Sequence, residues 1–270
     1  MLWIEKYRPD SFEEIIGQEQ VTAHLRSAAV SGNVPHLLLT GPAGTGKSAA
    51  VSCLARLLYG ERSDENHTII QTADLFEQGK KYLENDERYT HLYRRDESLL
   101  ANFKNITRWY ASIRPLDAAF RLLVFEGASA LTREAQQGLR RIMERYSATC
   151  RFIFVTSRPS AIIPAVSSRC LPFFFAPLSD AVVERKLHAI LAAEYGSNSP
   201  LSTDDIELIV QAASGDLRKA IMLLQVSAGA EDAADLIRCS RTETGQIAQS
   251  AIAAIEGRDL HAAFRRFETL

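Results

Sequence analysis

The strongest constraint on the fold of this chain is a glycine-rich segment, GPAGTGKS, at residues 41–48. It follows a short apolar run at residues 36–40 and precedes residues 49–59, whose apolar side chains recur at helical spacing. A buried strand, a glycine-rich turn and a helix, in this order, are the context in which G-x-x-x-x-G-K-[ST] binds phosphate. The flanking segments disfavour the alternative, a glycine-rich turn with a chance lysine. The sequence therefore predicts a phosphate-binding loop.

The residue types in this loop suit a nucleoside triphosphate. Glycines let backbone N–H groups approach phosphate oxygens, and the helix N-terminus adds its positive dipole. Lys47 is expected to contact the β- and γ-phosphates, and Ser48 to offer its hydroxyl group to Mg²⁺. The predicted nucleotide-binding residues of the loop are Gly41, Pro42, Ala43, Gly44, Thr45, Gly46, Lys47 and Ser48.

Short apolar runs alternate with helical patterns up to residue 176. Strands are predicted at residues 36–40, 67–72, 121–125, 151–156 and 171–175, and helices at 18–29, 49–59, 96–112 and 132–146, with Thr132 as an N-cap. This alternation indicates an α/β fold with a parallel sheet. Residues 3–9 read as extended, and residues 74–95 have a poor helical pattern. Helices predominate later, at residues 180–195, 203–213, 216–226 and 243–270.

Composition excludes several classes of protein. With 46% hydrophobic and 24% charged residues, the 270-residue chain is neither disordered nor fibrous. The net charge of −2 means that any nucleic-acid contact must come from a local patch. We expect no membrane segment, because no window of about 18 apolar residues occurs, and no signal peptide, because the N-terminus lacks an apolar region. The cysteines lack zinc-site spacing, so we expect reduced, mostly buried thiols in a cytoplasmic protein; they are Cys53, Cys150, Cys170 and Cys239.

A carboxylate that binds Mg²⁺ is expected where a later strand ends. In LLVFEGAS, Glu126 follows the apolar run and Gly127 follows Glu126. Glu126 is therefore the predicted metal ligand, and the second carboxylate that would activate water is missing. The alternative is that Glu126 merely ends a strand in solvent.

Four further motifs complete the pattern. They are WIEKYRPDSFEEIIGQE at residues 3–19, AQQGLRRIMERYSATCRFIF at 135–154, SSRC at 167–170 and GDLRKAI at 215–221. In this order, and over at least residues 1–228, the chain resembles the AAA+ clamp-loader ATPases, most closely the replication factor C small subunits of archaea and eukaryotes. The resemblance implies a AAA+ P-loop core at residues 1–176, a helical lid at 177–235 and the start of a helical collar at 236–270.

The resemblance also implies a function. A small subunit of this type binds ATP and Mg²⁺ and helps to load a sliding clamp onto primed DNA. Its implied partners are a large subunit, other small subunits, the sliding clamp and primer–template DNA without sequence preference, and no membrane. A AAA+ helicase or remodelling ATPase with a different substrate is the alternative. The SRC motif and the Tyr-Arg-Pro opening oppose that alternative.

Individual residues receive roles from the same resemblance. Arg169 is the implied arginine finger, acting in trans on a neighbouring subunit, and Arg218 the second sensor, acting from the lid. The adenine pocket is expected to involve Tyr7, Arg8, Pro9, Ile15, Ile16 and Gly17. One helix carries four arginines that could face DNA, lie at a subunit interface or be solvated; they are Arg133, Arg140, Arg141 and Arg145.

The chain departs from the family pattern in three places. The usual Asp-Glu pair falls on Glu126 and Gly127, and the first sensor, usually Asn, falls on Ser157. Residues 63–95 form a longer segment than expected, which looks like the variant second small subunit of some archaea. The first two departures predict weak hydrolysis at this chain's own site. They leave two hypotheses, an active ATPase subunit or an ATP-binding subunit that lends Arg169 to a neighbour.

Overall fold

The structure is a computed structural model that describes residues 1–115, 117–196 and 198–230. These residues form two compact units. One is Arg8–Pro177, and the other joins Met1–Tyr7 to the described residues from Leu178 onward. The boundary near residue 177 lies where the helix-rich sequence begins.

A five-stranded parallel sheet forms the centre of the first unit. Its order is β2-β3-β4-β1-β5, and every neighbouring pair is parallel. The strands are β1 (Leu37–Thr40), β2 (His67–Gln71), β3 (Arg121–Glu126), β4 (Cys150–Thr156) and β5 (Leu171–Phe174). The predicted parallel α/β fold is therefore confirmed.

Helices and short turns connect the strands of this unit. The first helix of the chain, α1 (Trp3–Lys6), belongs to the other unit. The helices of this unit are α2 (Glu19–Val30), α3 (Lys47–Tyr59), α4 (Ser63–Asn66), α5 (Thr72–Gln78), α6 (Lys80–Asn85), α7 (Glu87–Thr90), α8 (Leu99–Ser112), α9 (Arg133–Arg145) and α10 (Pro164–Ser167). Single 3₁₀ turns occur at Phe12–Glu14, Gly60–Arg62, Ala128–Ala130 and Pro159–Ala161. The predicted N-cap is present, because the Thr132 hydroxyl accepts the N–H of Ala135 at 3.2 Å.

Two apolar cores cover the two faces of the sheet. Successive side chains of a strand point to opposite faces, so Leu123 and Phe125 enter one core while Leu122 and Val124 enter the other. Helices α8 and α9 pack on the first face, and α2 and α3 on the second. A strand buried on both faces must be apolar throughout, which explains the continuous runs in the sequence. The three cysteines among the described residues, Cys53, Cys150 and Cys170, are buried, as predicted; Cys239 lies outside the described residues.

The prediction that residues 3–9 are extended is wrong over Trp3–Lys6, which form a helical turn. The backbone N–H of Trp3 donates to Gln225 Oε1 at 2.8 Å, and the Trp3 side chain is buried among the helices of the second unit. A helical turn places Trp3 and Tyr7 on one side of the chain, where their ring centroids lie 6.5 Å apart. Tertiary packing therefore decides this local conformation.

Residues 72–90 fold into three consecutive short helices, α5, α6 and α7, rather than one long one. Gly79, with φ of 65°, separates α5 from α6. Asp86 then starts α7, because its carboxylate accepts the backbone N–H of Arg88 at 3.0 Å. These breaks explain why no single helical period runs through the segment.

The second unit is built from three helices around its own apolar core. They are α11 (Asp180–Tyr195), α12 (Thr203–Ala213) and α13 (Leu217–Ser227), which agree with the predicted helices to within one residue. Ser202 and Asp205 form a reciprocal capping box at the start of α12. Met1–Tyr7, which the sequence places with the first domain, group with these helices instead. The predicted collar at residues 236–270 lies outside the described residues.

Helices of the described residues are short or polar. Among them, none is both long enough and apolar enough to cross a membrane.

Candidate nucleotide-binding site

The phosphate-binding loop leaves the sheet at the end of β1. This strand lies between β4 and β5, and all four of its residues are buried. The backbone N–H of Phe175 donates to the Thr40 carbonyl at 2.8 Å, and the Phe175 carbonyl oxygen occupies the place that a Cβ on Gly41 would need. Gly41 also has φ of 138°. Glycine is therefore required at the first position of the loop by a close backbone approach.

Lys47 is the first residue of α3, and its side chain turns back into the loop. Its ammonium group is buried and donates to the Gly41 carbonyl at 2.8 Å, to Thr45 Oγ1 at 3.4 Å, and to the Pro42 carbonyl. The Thr45 hydroxyl in turn donates to Pro42 at 2.9 Å. Because a buried charge is costly without polar partners, these oxygens stabilise a cation at the centre of the loop. Ser48, the next residue, is half-buried.

The predicted adenine-binding segment lies beside this loop for most of its length. The Arg8 guanidinium donates to Ser52 Oγ on α3 at 3.0 Å, and the Cys53 thiol points at the Pro9 carbonyl at 3.7 Å. The Ile15 side chain packs against the loop at Gly46. A Cβ at that position would lie only 3.3 Å from Ile15 Cγ2. Ile16 and Gly17 follow and are half-buried.

Tyr7 differs from its neighbours in this segment. It groups with the helical unit, where its hydroxyl group donates to Glu194 Oε1 at 2.6 Å. Lys6 donates to the same oxygen at 2.6 Å. Burial and the hydrogen bond to Glu194 raise the pKa of Tyr7, so the phenol stays protonated at neutral pH.

Gln18 is a residue of this region that sequence reasoning missed. Its side chain is buried, its amide nitrogen donates to the Ala176 carbonyl at 2.8 Å, and its amide oxygen accepts the Ala176 N–H at 3.2 Å. These two hydrogen bonds connect the predicted adenine segment to Ala176, which follows Phe175 after the end of β5. Its place in the IIGQE motif is the only sequence signal that could have identified it.

The remaining predicted residues lie at the carboxyl edge of the same sheet. Glu126 ends β3 and aligns with Val155 on β4, while Thr40 aligns with Thr156. Adjacent strands are about 4.8 Å apart, so Glu126 lies about 10 Å from the end of β1. Ser157, the first-sensor position, follows the intervening strand β4 and is exposed. The topology thus brings the loop, Ser157 and Glu126 to one edge.

Gly127, directly after Glu126, has a left-handed backbone with φ of 64° and ψ of 38°. The fully buried Thr72 donates its hydroxyl group to the Gly127 carbonyl at 2.6 Å and also contacts the Glu126 carbonyl. The position where a second carboxylate is usual in the family therefore holds a glycine in a conformation that side chains disfavour.

The two implied arginines lie in different units. Arg169 follows α10; its side chain is 30% exposed and donates to Glu144 and to the Ala165 carbonyl. Arg218 lies in the first turn of α13 and is exposed.

The four arginines of α9 are all exposed. Arg140 pairs with Glu144 at 3.4 Å, and the Arg145 guanidinium lies 5.5 Å from the centre of the Tyr146 ring. Arg133 and Arg141 complete the exposed basic set on this helix.

Several known proteins are similar to this chain in sequence or in fold. A family model described as "DNA polymerase III, delta subunit" matches residues 17–179. Replication factor C small subunit 1 of Pyrobaculum arsenaticum is 37% identical over 236 residues, which cover 87% of this chain and 64% of that protein. The replication factor C small subunit of Methanocella arvoryzae is 38% identical over 228 residues, covering 84% and 63%. The chain thus spans less than two thirds of the length of these relatives.

These relatives confirm the resemblance to replication factor C small subunits. The finer likeness to a second archaeal small subunit stays a prediction. Among solved structures, the Aeropyrum pernix ORC1 protein in complex with DNA has a TM-score of 0.65 at 18% identity, covering 91% of this chain and 69% of that chain. A Thermotoga maritima RuvB variant has a TM-score of 0.62 at 17% identity, covering 93% and 80%. At this identity the likeness concerns the fold alone, and it agrees with the α/β fold described above.

Proposed function

The chain belongs to the family described as DNA polymerase III, delta subunit, and on that premise we propose that it is an ATP-binding small subunit of a replication factor C clamp loader. Its role is to help load a sliding clamp onto primed DNA. The observation that carries this proposal is the loop folded around the Lys47 ammonium, between a buried strand and the start of a helix. The names of the relatives supply the clamp-loader context. The helicase or remodelling alternative is not favoured by any feature of the site.

The residues of the site fit ATP and Mg²⁺. Carbonyl oxygens hold the Lys47 ammonium in the loop, and phosphate oxygens can replace them as its partners. Ser48 and Glu126 are the proposed metal ligands, because hydroxyl and carboxylate oxygens suit a hard cation. When bound, Mg²⁺ neutralises charge on the β- and γ-phosphates. Arg8, Pro9, Ile15, Ile16 and Gly17 are the proposed adenine contacts.

Hydrolysis at this chain's own site is proposed to be slow. Attack on the γ-phosphate needs a group that positions water, and Gly127 offers no side chain for this task. Ser157 is shorter than the amide usual at the first sensor. Arg169 is proposed to act on the neighbouring subunit's ATP, and Arg218 to reach the γ-phosphate from the predicted lid.

The proposed DNA surface is the exposed face of α9. Arg140 shares Glu144 with Arg169, so Arg133, Arg141 and Arg145 are the better candidates for phosphate contacts. Contacts to phosphates carry no base information, so binding should lack sequence preference and weaken with salt. The proposed location is the cytoplasm.

The test of the proposed function is assembly and turnover. The full chain is co-expressed with a replication factor C large subunit, a second small subunit and the sliding clamp, and the purified complex is assayed for ATP turnover with and without primed DNA. We expect one stable complex whose turnover rises with clamp and DNA together. Failure to co-purify, or turnover indifferent to both, would contradict the clamp-loader assignment.

A further inference from the structure

The side chain of Arg169 is held by a specific set of acceptors. Nε donates to Glu144 Oε1 at 3.0 Å and Nη2 donates to the same oxygen at 2.5 Å. Nη1 donates to the Ala165 carbonyl at 2.7 Å. Nη1 also donates to Ser168 Oγ at 3.5 Å. A guanidinium has five N–H bonds, so these contacts leave one N–H, on Nη2, for another ligand.

The backbone of Arg169 is fixed as firmly as its side chain. Val166 and Cys170, on either side, are buried in the same core as Met143 of α9. The Arg169 N–H donates to the Val166 carbonyl at 3.0 Å, and two residues later the Leu171 N–H donates to His36 at 2.8 Å, at the start of β5. Arg169 therefore lies in a hydrogen-bonded connection between α10 and β5, between two buried residues.

Glu144 comes from the solvent face of α9. The buried face of this helix includes Leu139, Ile142 and Met143, whereas Glu144 is exposed in the last turn. The hydrogen bond from Arg169 and the further bond from Arg140 lower the pKa of Glu144. Its carboxylate is thus ionised at neutral pH and shared by two arginines, which leaves a net positive charge at this place.

We propose that Glu144 is a positioning residue for Arg169, holding the guanidinium so that its remaining N–H bond, on Nη2, faces the phosphates bound by the neighbouring subunit. The inference rests on the proposed function, because it takes Arg169 as the residue that acts in trans. An arginine that is already oriented loses less side-chain freedom when it meets its ligand. Small misplacements of a group that stabilises a transition state are costly in rate.

The opposite role makes a distinguishable prediction. If Glu144 sequestered Arg169, removing the carboxylate would free the arginine and accelerate hydrolysis at the neighbouring site. A positioning role instead requires the rate to fall, and only while Arg169 is present.

The experiment uses the complex of the full chain with its partner subunits, in which only the ATP site facing Arg169 keeps its phosphate-loop lysine. Single-turnover hydrolysis and ATP affinity are measured for Arg169→Ala, Glu144→Ala, the double variant and Glu144→Gln. We expect Arg169→Ala to reduce the rate by about 10³-fold. Glu144→Ala should reduce it by about 10- to 100-fold without changing ATP affinity. The double variant should hydrolyse ATP at the same rate as Arg169→Ala, because the effects of substituting two residues that act as a unit do not add.

Glu144→Gln keeps an acceptor oxygen of the same size, so it should fold and retain part of the rate. Glu207→Ala, which removes an exposed glutamate on α12, is the matched control and should leave the rate unchanged. A normal or increased rate for Glu144→Ala overturns the positioning role, as does an equal further loss in the Arg169→Ala background. If Arg169→Ala itself hydrolyses at the parental rate, the trans role in the proposed function is overturned, and this inference with it.

Discussion

Thr72 donates its hydroxyl group to the carbonyl oxygen of Gly127 at 2.6 Å, joining the start of α5 to the turn that follows β3. The bond fixes the peptide directly after the proposed metal ligand, Glu126. It also accompanies the left-handed backbone of Gly127. At this position the chain therefore differs in two ways: it has no carboxylate, and its backbone is left-handed, which a side chain would disfavour.

Gly127→Glu should restore hydrolysis at the chain's own site at a cost in stability. The new carboxylate can position water, provided that a neighbouring subunit supplies an arginine. A Cβ at this position would meet Ala73 at 3.6 Å, an ordinary contact. The left-handed backbone costs a side chain about 1 kcal/mol. Single-turnover hydrolysis in a complex with only this site intact measures the gain, and urea unfolding measures the cost.

Gly127→Ala is the matched control for this experiment. It meets the same backbone cost without adding a carboxylate, so its free energy of unfolding should fall similarly while turnover stays slow. Fast hydrolysis by the unmodified site would mean that another residue positions the water, and the active-ATPase hypothesis would then be preferred.

Lys47→Ala should weaken ATP binding at least tenfold, about 1.4 kcal/mol. The variant removes the ammonium that the Gly41 carbonyl holds inside the loop, and with it the positive charge for the β- and γ-phosphates. Titration with fluorescent ATP measures the affinity. Lys81→Ala, an exposed lysine on α6, is the control and should bind ATP normally. Equal affinities for the two variants would contradict the phosphate-loop assignment.

The sequence predicts the fold best where a motif for function also requires a particular local structure. The loop at residues 41–48 identifies its own strand and helix, because the motif requires both. The parallel strands follow from apolar runs that are buried on both faces, such as β3 and β4. Thr132 is recognisable as an N-cap because it precedes the helical pattern of α9.

Contacts between distant residues are not visible in the sequence. Trp3 adopts a helical turn because it docks beside Gln225, 222 residues away, which no local pattern can show. Glu144 and Arg169 pair across 25 residues with no periodic relation. In α7, Tyr89 is almost fully buried although its neighbours are polar, so the hydrophobic period of this segment is hidden.

The stability of the fold should depend on pH through His36. The backbone N–H of Phe152 donates to His36 Nδ1 at 3.1 Å, so this nitrogen must be unprotonated. Burial, together with the nearby Arg151, lowers the pKa of His36 to about 4. The unfolded chain therefore binds this proton at higher pH than the folded chain does. The free energy of unfolding should fall as pH drops from about 6.5 towards 4.

His36→Asn keeps an acceptor near the same place but does not titrate, so its unfolding free energy should change less over that range. Gln211→Ala, at an exposed residue of α12 that has no titratable group, should keep the parental pH dependence. Urea midpoints measured from pH 4 to 7 compare the three proteins. Parallel profiles for His36→Asn and the parent would exclude His36 as the titrating group.

Asn102 should be a main anchor of the long segment that precedes α8. Its side chain is fully buried, its amide oxygen accepts the Arg94 N–H at 2.8 Å, and its amide nitrogen donates to the Arg94 carbonyl at 2.8 Å and the Ser98 carbonyl at 3.2 Å. Asn102→Ala leaves these backbone groups without their partner, and unsatisfied buried groups cost about 1–3 kcal/mol. We expect a loss of about 2 kcal/mol in unfolding free energy and faster tryptic cleavage after Arg94 and Arg95, with ATP affinity unchanged.

Asn105→Ala, which removes a half-buried amide that donates to Glu97 at 2.7 Å, is the matched control and should cost less than about 1 kcal/mol. Equal losses for the two variants would show that the Asn102 contacts do not hold this segment.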